Sequence, residues 1–411
     1  MRADEYLNKI VSLSEIGKFP LGDNARGFQS FGIGSNSISF INENFTIYTK
    51  TINDFFQSRK LICKTFSIKE FEKNIIDTFS EKIIKKEHIS REDANAFTKA
   101  LDDSSVLNYS VMRKINGIHL SKPEDIVDLG PFKIFRAQNH KEKLSDIFKK
   151  SIHEKIEDLP EYIIEASVPA RSSNGAQKIA DEMFENFEHC IRFIMGNQSK
   201  KIEIAIHNYG GAQFQENYVF HKTLYVGGTR GIKELRESVD FSDKYFSEPH
   251  AFQKIIWENY NTENLSDLKK RIILSIDWAG QAYLEKSPSS AFLKSAIALE
   301  ILFTPDKNAP MSASIQASIS ETVAMLCGEN VDERISIEKL VKKLYGIRSS
   351  IAHAGKNEIE GQDLADIFAV TRQSIMNIIC TPQLYKLDSL EKLREHFKAL
   401  RYSFPPLESK F

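Results

Sequence analysis

The chain reads as an α+β protein of two domains. An N-terminal mixed, mainly antiparallel sheet with helices spans 1–245, and a C-terminal all-α bundle spans 246–411. Three observations carry this. At 411 residues the chain exceeds what one core usually organises. Up to about residue 245, short runs of β-branched and aromatic residues alternate with helical stretches, with connections too short for crossovers. From about Ala251 onward, apolar residues recur every three to four positions with brief links between them. The Asp/Glu/Ser-containing stretch 237–250, ending just past Pro249, is the expected boundary.

In chain order, Ser37–Asn42 and Phe45–Thr49 are expected as a strand pair around an Asn-Glu-Asn turn. Residues 68–86 have helical spacing, with Phe71, Ile75, Ile76, Phe79 and Ile83 inward and lysines outward. Tyr109–Arg113, Phe132–Phe135 and Tyr162–Val168 read as strands. A helix follows from Ser173 with Ile179, Met183, Phe187, Ile191 and Ile194 on its core face. Ile202–His207 and the aromatic run Tyr218–Val226 are expected to complete the sheet.

The second part predicts helices at Leu265–Leu284, at Ala291–Phe303, at 312–326 stopping at Gly328, near 335–354, and at Leu364–Ile379 with a break at Pro382. A basic tail helix follows around 389–399. The helix at 291–303 is apolar nearly all round, so it should be the most buried. Short links imply an antiparallel bundle.

Composition excludes several classes. Hydrophobic content of 41% and charge of 27% are those of a globular domain. No run of about 18 apolar residues exists to span a bilayer. The start, Met-Arg-Ala-Asp-Glu-Tyr, carries acids and no apolar signal core, so a cytoplasmic location is expected. Cys63, Cys190, Cys327 and Cys380 are scattered and form neither a zinc pattern nor a disulfide frame. Residues 246–411 hold 20 Lys+Arg against 21 Asp+Glu, leaving 35 against 35 for 1–245, so neither part is a basic nucleic-acid arm. A small, locally positive cleft is still compatible with this balance.

The stretch Val341-Lys-Lys-Leu-Tyr-Gly-Ile-Arg348-Ser-Ser-Ile-Ala-His353-Ala-Gly-Lys356 is the most informative. Ile337, Leu340, Val341, Leu344 and Ile351 give an apolar stripe, and Gly355 stands where helices often end. Arg348 and His353 are thus presented together at a helix end. Imidazole exchanges protons near neutral pH, and guanidinium grips a phosphate with a fork of donors. With Phe292-Leu-Lys-Ser-Ala-Ile-Ala-Leu-Glu300-Ile-Leu302 upstream, the stretch resembles the HEPN nucleases, specifically the Apea-like HEPN domains of prokaryotic anti-phage defence. The family pattern is Arg, four to six residues, then His, with a polar residue after the Arg. Here Ser349 follows Arg348, and four residues precede His353. The resemblance covers roughly 262–400.

That resemblance implies a metal-free endoribonuclease and abortive-infection toxin with no cofactor. Its substrate would be tRNA or another cellular RNA, its trigger phage-derived, its active form a homodimer or higher homo-oligomer. The first domain would then sense or restrain. His353 would serve as acid–base and Arg348 as the charge stabiliser. The bland alternative is a surface histidine near a helix end with Arg348 in a structural ion pair. Glu300 sits among Leu293, Ala296, Ile297 and Phe303, where an unpaired charge is costly, so it either pairs with and orients Arg348, or caps another element or reaches a rim. Ser349 either touches phosphate or is solvated. A non-catalytic HEPN-fold dimer that binds RNA or protein, and an RNA-processing nuclease outside defence, are the rival functions.

Successive helical residues turn by about 100°, so positions five apart point about 140° apart. One intact helix would aim Arg348 and His353 at different atoms. Either the helix loosens at Ala354-Gly355 or a second copy supplies partners, and Gly346 leaves room for one. Gly210-Gly-Ala and Gly227-Gly-Thr-Arg-Gly lack the Lys-Ser/Thr ending of a phosphate loop and are expected to be hairpin turns. No His-Glu-x-x-His occurs, His189 and Cys190 face apart, and no metal is expected. The aromatic stretch 214–226 either stacks bases or packs as core.

Overall fold

The computed structural model describes residues 1–17, 28–34, 36–121, 126–140, 161–196, 204, 206, 214–221, 224–232, 238–241, 246, 251–260, 262, 264–304, 315–354 and 358–402. It is α+β and divides into two compact units. The first comprises Met1–Val111 with Ala166–Met183; the second comprises Met112–Glu165 with Phe184–Phe411.

The first unit opens with α1 (Ala3–Leu13), then an antiparallel sheet of β1 (Glu15–Gly17), β2 (Phe28–Ile33) and β3 (Asn36–Ile41) in the order β1-β3-β2. Helices α2 (Asn42–Gln57), α3 (Lys60–Thr65), α4 (Ile68–Ile84) and α5 (Arg91–Asp102) follow. The expected helix at 68–86 is α4, and its five predicted core residues are all buried. Capping boxes Ser67/Glu70 and Ser90/Asp93 start α4 and α5, each cap stabilising its helix by about 1 kcal/mol. The expected second strand at Phe45–Thr49 is instead part of α2. Its β-branched composition suggested a strand, but Tyr48, Thr51, Ile52, Phe55 and Phe56 form a buried face at helical spacing. Asn42, at φ 52, turns the chain from β3 directly into this helix, a conformation asparagine tolerates. The Phe40 and Tyr48 rings stack within a core that includes Leu7, Ile10, Phe55, Phe71 and Ile75.

A four-stranded sheet has the order β4-β8-β7-β6, from β4 (Leu107–Lys114), β6 (Ile126–Leu129), β7 (Phe132–Arg136) and β8 (Tyr162–Ala170); β5 (Ile118–His119) pairs in parallel with a short later strand at Val239–Asp240. The strands expected at 109–113, 132–135 and 162–168 are therefore present. Helix α6 (Ser173–Met195) is also as expected. Of its predicted core residues, Phe187, Ile191 and Ile194 are buried while Ile179 and Met183 are half-buried, because Ala176, Ala180 and Phe184 take the inward positions there.

Tyr218–Val226 does not join that sheet. It is split between β9 (Phe214–His221) and β10 (Leu224–Ile232), a two-stranded antiparallel hairpin. Gly227 to Gly231 lie within β10 and not in a turn, and the register shifts between Tyr225 and Gly227, where a glycine suits a bulge. Ile204 and Ile206 are buried but not in a strand; the rest of 202–207, and Gly210–Gly211, lie outside the described residues.

The units do not divide at 245/246. Phe132, Phe187 and Phe241 meet Trp257 or one another around one aromatic cluster, with Phe132–Phe187 centroids 4.9 Å apart and Phe187–Trp257 5.5 Å. Residues before and after the predicted boundary thus share one core.

Helices α7 (Ala251–Tyr260), α8 (Asp267–Leu284), α9 (Pro288–Phe303), α10 (Ile315–Cys327), α11 (Val331–Ala354), α12 (Gly361–Cys380), α13 (Pro382–Tyr385) and α14 (Leu390–Tyr402) complete the second unit. Positions 312–314 of the third predicted helix lie outside the described residues. α8 packs on α9, α10 on α11, and α12 against α9. α9 is buried on most sides, as its composition predicts. Small hydroxyl residues let the helices approach: Ser275 donates to Ala298 O at 2.7 Å, and Ser295 and Thr371 hydroxyls meet at 3.1 Å.

α6 and α8 approach still more closely. His189 Nδ1 lies 2.6 Å from Asp277 Oδ1, and Gln281 donates to the other carboxylate oxygen at 3.0 Å. A Cβ on Gly280 would lie 2.1 Å from His189 O, which is backbone and cannot swing away. Gly280→Ala gains up to about 1 kcal/mol of helix propensity, but overpacking costs about 1–3 kcal/mol or more. The clash wins, and urea unfolding of this variant is expected at a clearly lower midpoint. A raised midpoint would mean that the two helices are farther apart.

Candidate active site on the Arg-His helix

α11 carries the Arg348–His353 motif and runs unbroken from Val331 to Ala354. Val341, Leu344, Tyr345 and Ile351 are buried, which fixes the helix's rotation. Ile337 and Leu340 of the predicted stripe are half-buried. Lys343 Nζ reaches Asp363 Oδ1 at 2.5 Å, tying α11 to the start of α12. Gly355 lies outside the described residues; the helix persists through His353, so no loosening between the two motif residues brings them together.

Arg348 turns toward α9. Its Nε lies 2.9 Å from Glu300 Oε1, and its Nη2 donates to Oε2 at 3.2 Å. The Nε is buried beside that carboxylate without a well-aligned hydrogen bond, so Nη2 carries the bond to Glu300. The side chains of Arg348 and Glu300 are 30% and 24% exposed, so the pair sits at a surface that a ligand can reach. Glu300 shares the half-buried face of α9 with Leu293 and Ile297, and its carboxylate pairs with Arg348.

His353 and Ser349 are exposed on the same helix. His353 is about 140° round the axis from Arg348. Within one chain the predicted set therefore separates into a paired group, Arg348 with Glu300, and an exposed one, His353 with Ser349.

Tyr345 is a further residue of the site, one that the Arg-His spacing does not mark. It stands one turn before Arg348 and is 6% exposed, yet its hydroxyl has no hydrogen-bond partner among the described residues. Burial pushes its pKa well up, the Glu300 carboxylate adds to this, and Arg348 opposes it. Tyr345 thus keeps its proton as a spare donor beside the ion pair. Its i, i+3 relation to Arg348 was the available signal.

Other nucleophile candidates are quiet. Burial pushes the Cys190 thiol well up, with Asp277 adding to it, so it is not a thiolate. The four cysteines are free. Among the described residues no three His, Cys, Asp or Glu side chains gather as a metal site, and no helix is long and apolar enough to cross a membrane. No family model, curated protein or solved structure matches the chain.

Proposed function

We propose that this chain is a metal-independent endoribonuclease of the HEPN type, acting as an abortive-infection toxin in the cytoplasm. The observation that carries the reading is the Arg348–Glu300 pair, held at an accessible surface on the helix that also presents an exposed His353. A guanidinium pre-oriented by a carboxylate is ready to receive a phosphate, and an exposed imidazole is free to move protons.

In the reaction, His353 takes the proton of a ribose 2′-hydroxyl and O2′ attacks the adjacent phosphorus. The P–O5′ bond breaks, and the leaving oxygen takes a proton from an imidazolium of the composite site. The products are a 2′,3′-cyclic phosphate and a 5′-hydroxyl. Acid–base help of this kind is typically worth about 10²–10⁴-fold. Arg348 stabilises the charge that accumulates on the phosphoryl oxygens. Because Arg348 and His353 diverge on one helix, the site is shared between two copies of the chain. DNA, without the 2′-hydroxyl, is refused.

A second reading follows from the same divergence: a HEPN-fold dimer that binds RNA or protein without cutting. Incubating the purified chain with total RNA, then mapping fragment ends, separates the two. Cyclic-phosphate ends are expected, and intact RNA favours the second reading. Cleavage is also expected to continue in excess EDTA, since every step above uses protein groups alone. Loss on chelation with recovery on adding magnesium would replace this mechanism by a metal-assisted one.

A further inference from the structure

The basic tail helix, α14, helps form a cleft of about 200 Å³ with α10. Arg394, Lys398 and Arg401 line it at i, i+4 and i+7, one face of α14. Across from them stand the Ser318 and Thr322 hydroxyls of α10. Three cations thus face one acid, Glu321, which pairs with Arg401 at 2.6 Å. Arg394 is half-buried, and its guanidinium meets the Ser318 hydroxyl and no carboxylate among the described residues. Lys398 is exposed and likewise meets no carboxylate. A partly desolvated, uncompensated guanidinium in a cleft calls for an anion. Phe397 is a buried apolar wall, and Tyr402, 75% exposed at the rim, offers an open ring face.

We propose that this cleft docks one nucleotide of a single-stranded RNA, remote from the Arg348–His353 site. Arg394 and Lys398 hold the phosphate, the hydroxyls meet phosphate or sugar, and Tyr402 stacks on a base. The volume is below the roughly 300 Å³ at which enclosed small-molecule sites begin, which suits one unit of a passing strand. The proposal rests on the ribonuclease reading for its partner and extends it to how the substrate is held. Glu338 of α11 lies within electrostatic range of Arg401. From Glu338 to His353 along that helix is about 22 Å, or roughly six stacked nucleotides. A strand running from the cleft along α11 to His353 of the same chain therefore spans about that length.

The test uses the full chain and a labelled 2′-O-methyl RNA of about 12 nucleotides, roughly twice that reach, whose blocked hydroxyls prevent cutting. Fluorescence anisotropy in EDTA gives affinity as a function of salt. Arg394→Ala with Lys398→Ala should weaken binding at least tenfold and flatten the log–log salt slope by about 0.7, the loss of one neutralised phosphate on a single strand. Tyr402→Ala should weaken it by about tenfold through lost stacking. Glu321→Gln frees Arg401 and should tighten binding, a gain that misfolding cannot mimic. In cleavage assays the double variant should raise KM for the long RNA and leave a dinucleotide substrate unaffected. Unchanged affinity in the double variant overturns the proposal. Displacement of the oligonucleotide by AMP at equal concentration overturns the strand assignment in favour of a free nucleotide. Binding as described without any cleavage supports the cleft and removes the nuclease reading alone.

Discussion

His353→Ala and Arg348→Ala are each expected to lower metal-free RNA cleavage by at least about 10²-fold, the low end of what acid–base and electrostatic groups supply. The two differ in what else they disturb. His353 is exposed, so its truncation removes no packing and should leave the unfolding midpoint in place. Arg348→Ala also strands Glu300, whose side chain is 24% exposed and would lose its cation. A partner left unpaired often costs more than the pair contributed. Arg348→Ala with Glu300→Gln removes that stranded charge, so it should regain stability and remain inactive. Arg348→Lys keeps the charge but loses the fork, and should fall between. Circular dichroism and end-mapped cleavage read both quantities on the same samples. A purified His353→Ala chain that cuts at the wild-type rate would remove His353 from the mechanism.

Local signals were sufficient for most of the bundle, but not for α7 at Ala251–Tyr260, which is not among the helices the sequence predicts. α8 and α9 begin at Ser266 and Ser287, whose hydroxyls accept from the first turn, and Pro288 stands at the start of α9. Pro382 starts a new short helix where the sequence predicts a break. The Glu300–Arg348 pair was legible in the same way, because a carboxylate beside Ala296, Ile297 and Phe303 on a largely apolar helix demands a partner. Failures came where distant segments decide. Phe45–Thr49 has strand composition, but its neighbours Ile52, Phe55 and Phe56 bury as a helix against α1 and α4. The division of the chain depends on Phe132, Phe187, Phe241 and Trp257 converging from four separate segments, which no local period records. Tyr345 fits the core stripe equally well whether or not its hydroxyl is satisfied, and only the packed structure reveals that it is not.

Gly346→Trp is expected to abolish dimerisation and RNA cleavage together. Arg348 pairs inward with Glu300, and His353 is exposed about 140° away on an unbroken helix. A single phosphate between them then needs a second copy, and a two-fold axis beside α11 would bring each copy's groups to the other. Gly346 is exposed, seven residues before His353 and so nearly on its face. A Cβ at Gly346 meets nothing within 4 Å, so a side chain leaves this exposed position without a clash at its first atom. Replacing a mid-helix glycine should even favour α11 by a few tenths of a kcal/mol. The monomer is therefore expected to stay folded, and any loss must come from what approaches that face. Light scattering should give a dimer for the wild type and a monomer for Gly346→Trp, with cleavage lost in parallel and rising with protein concentration in the wild type. A wild-type monomer that stays fully active on dilution would exclude a shared site. A dimer that survives the substitution, with activity lost, would keep Arg348 and His353 in the site and move the interface off this face of α11.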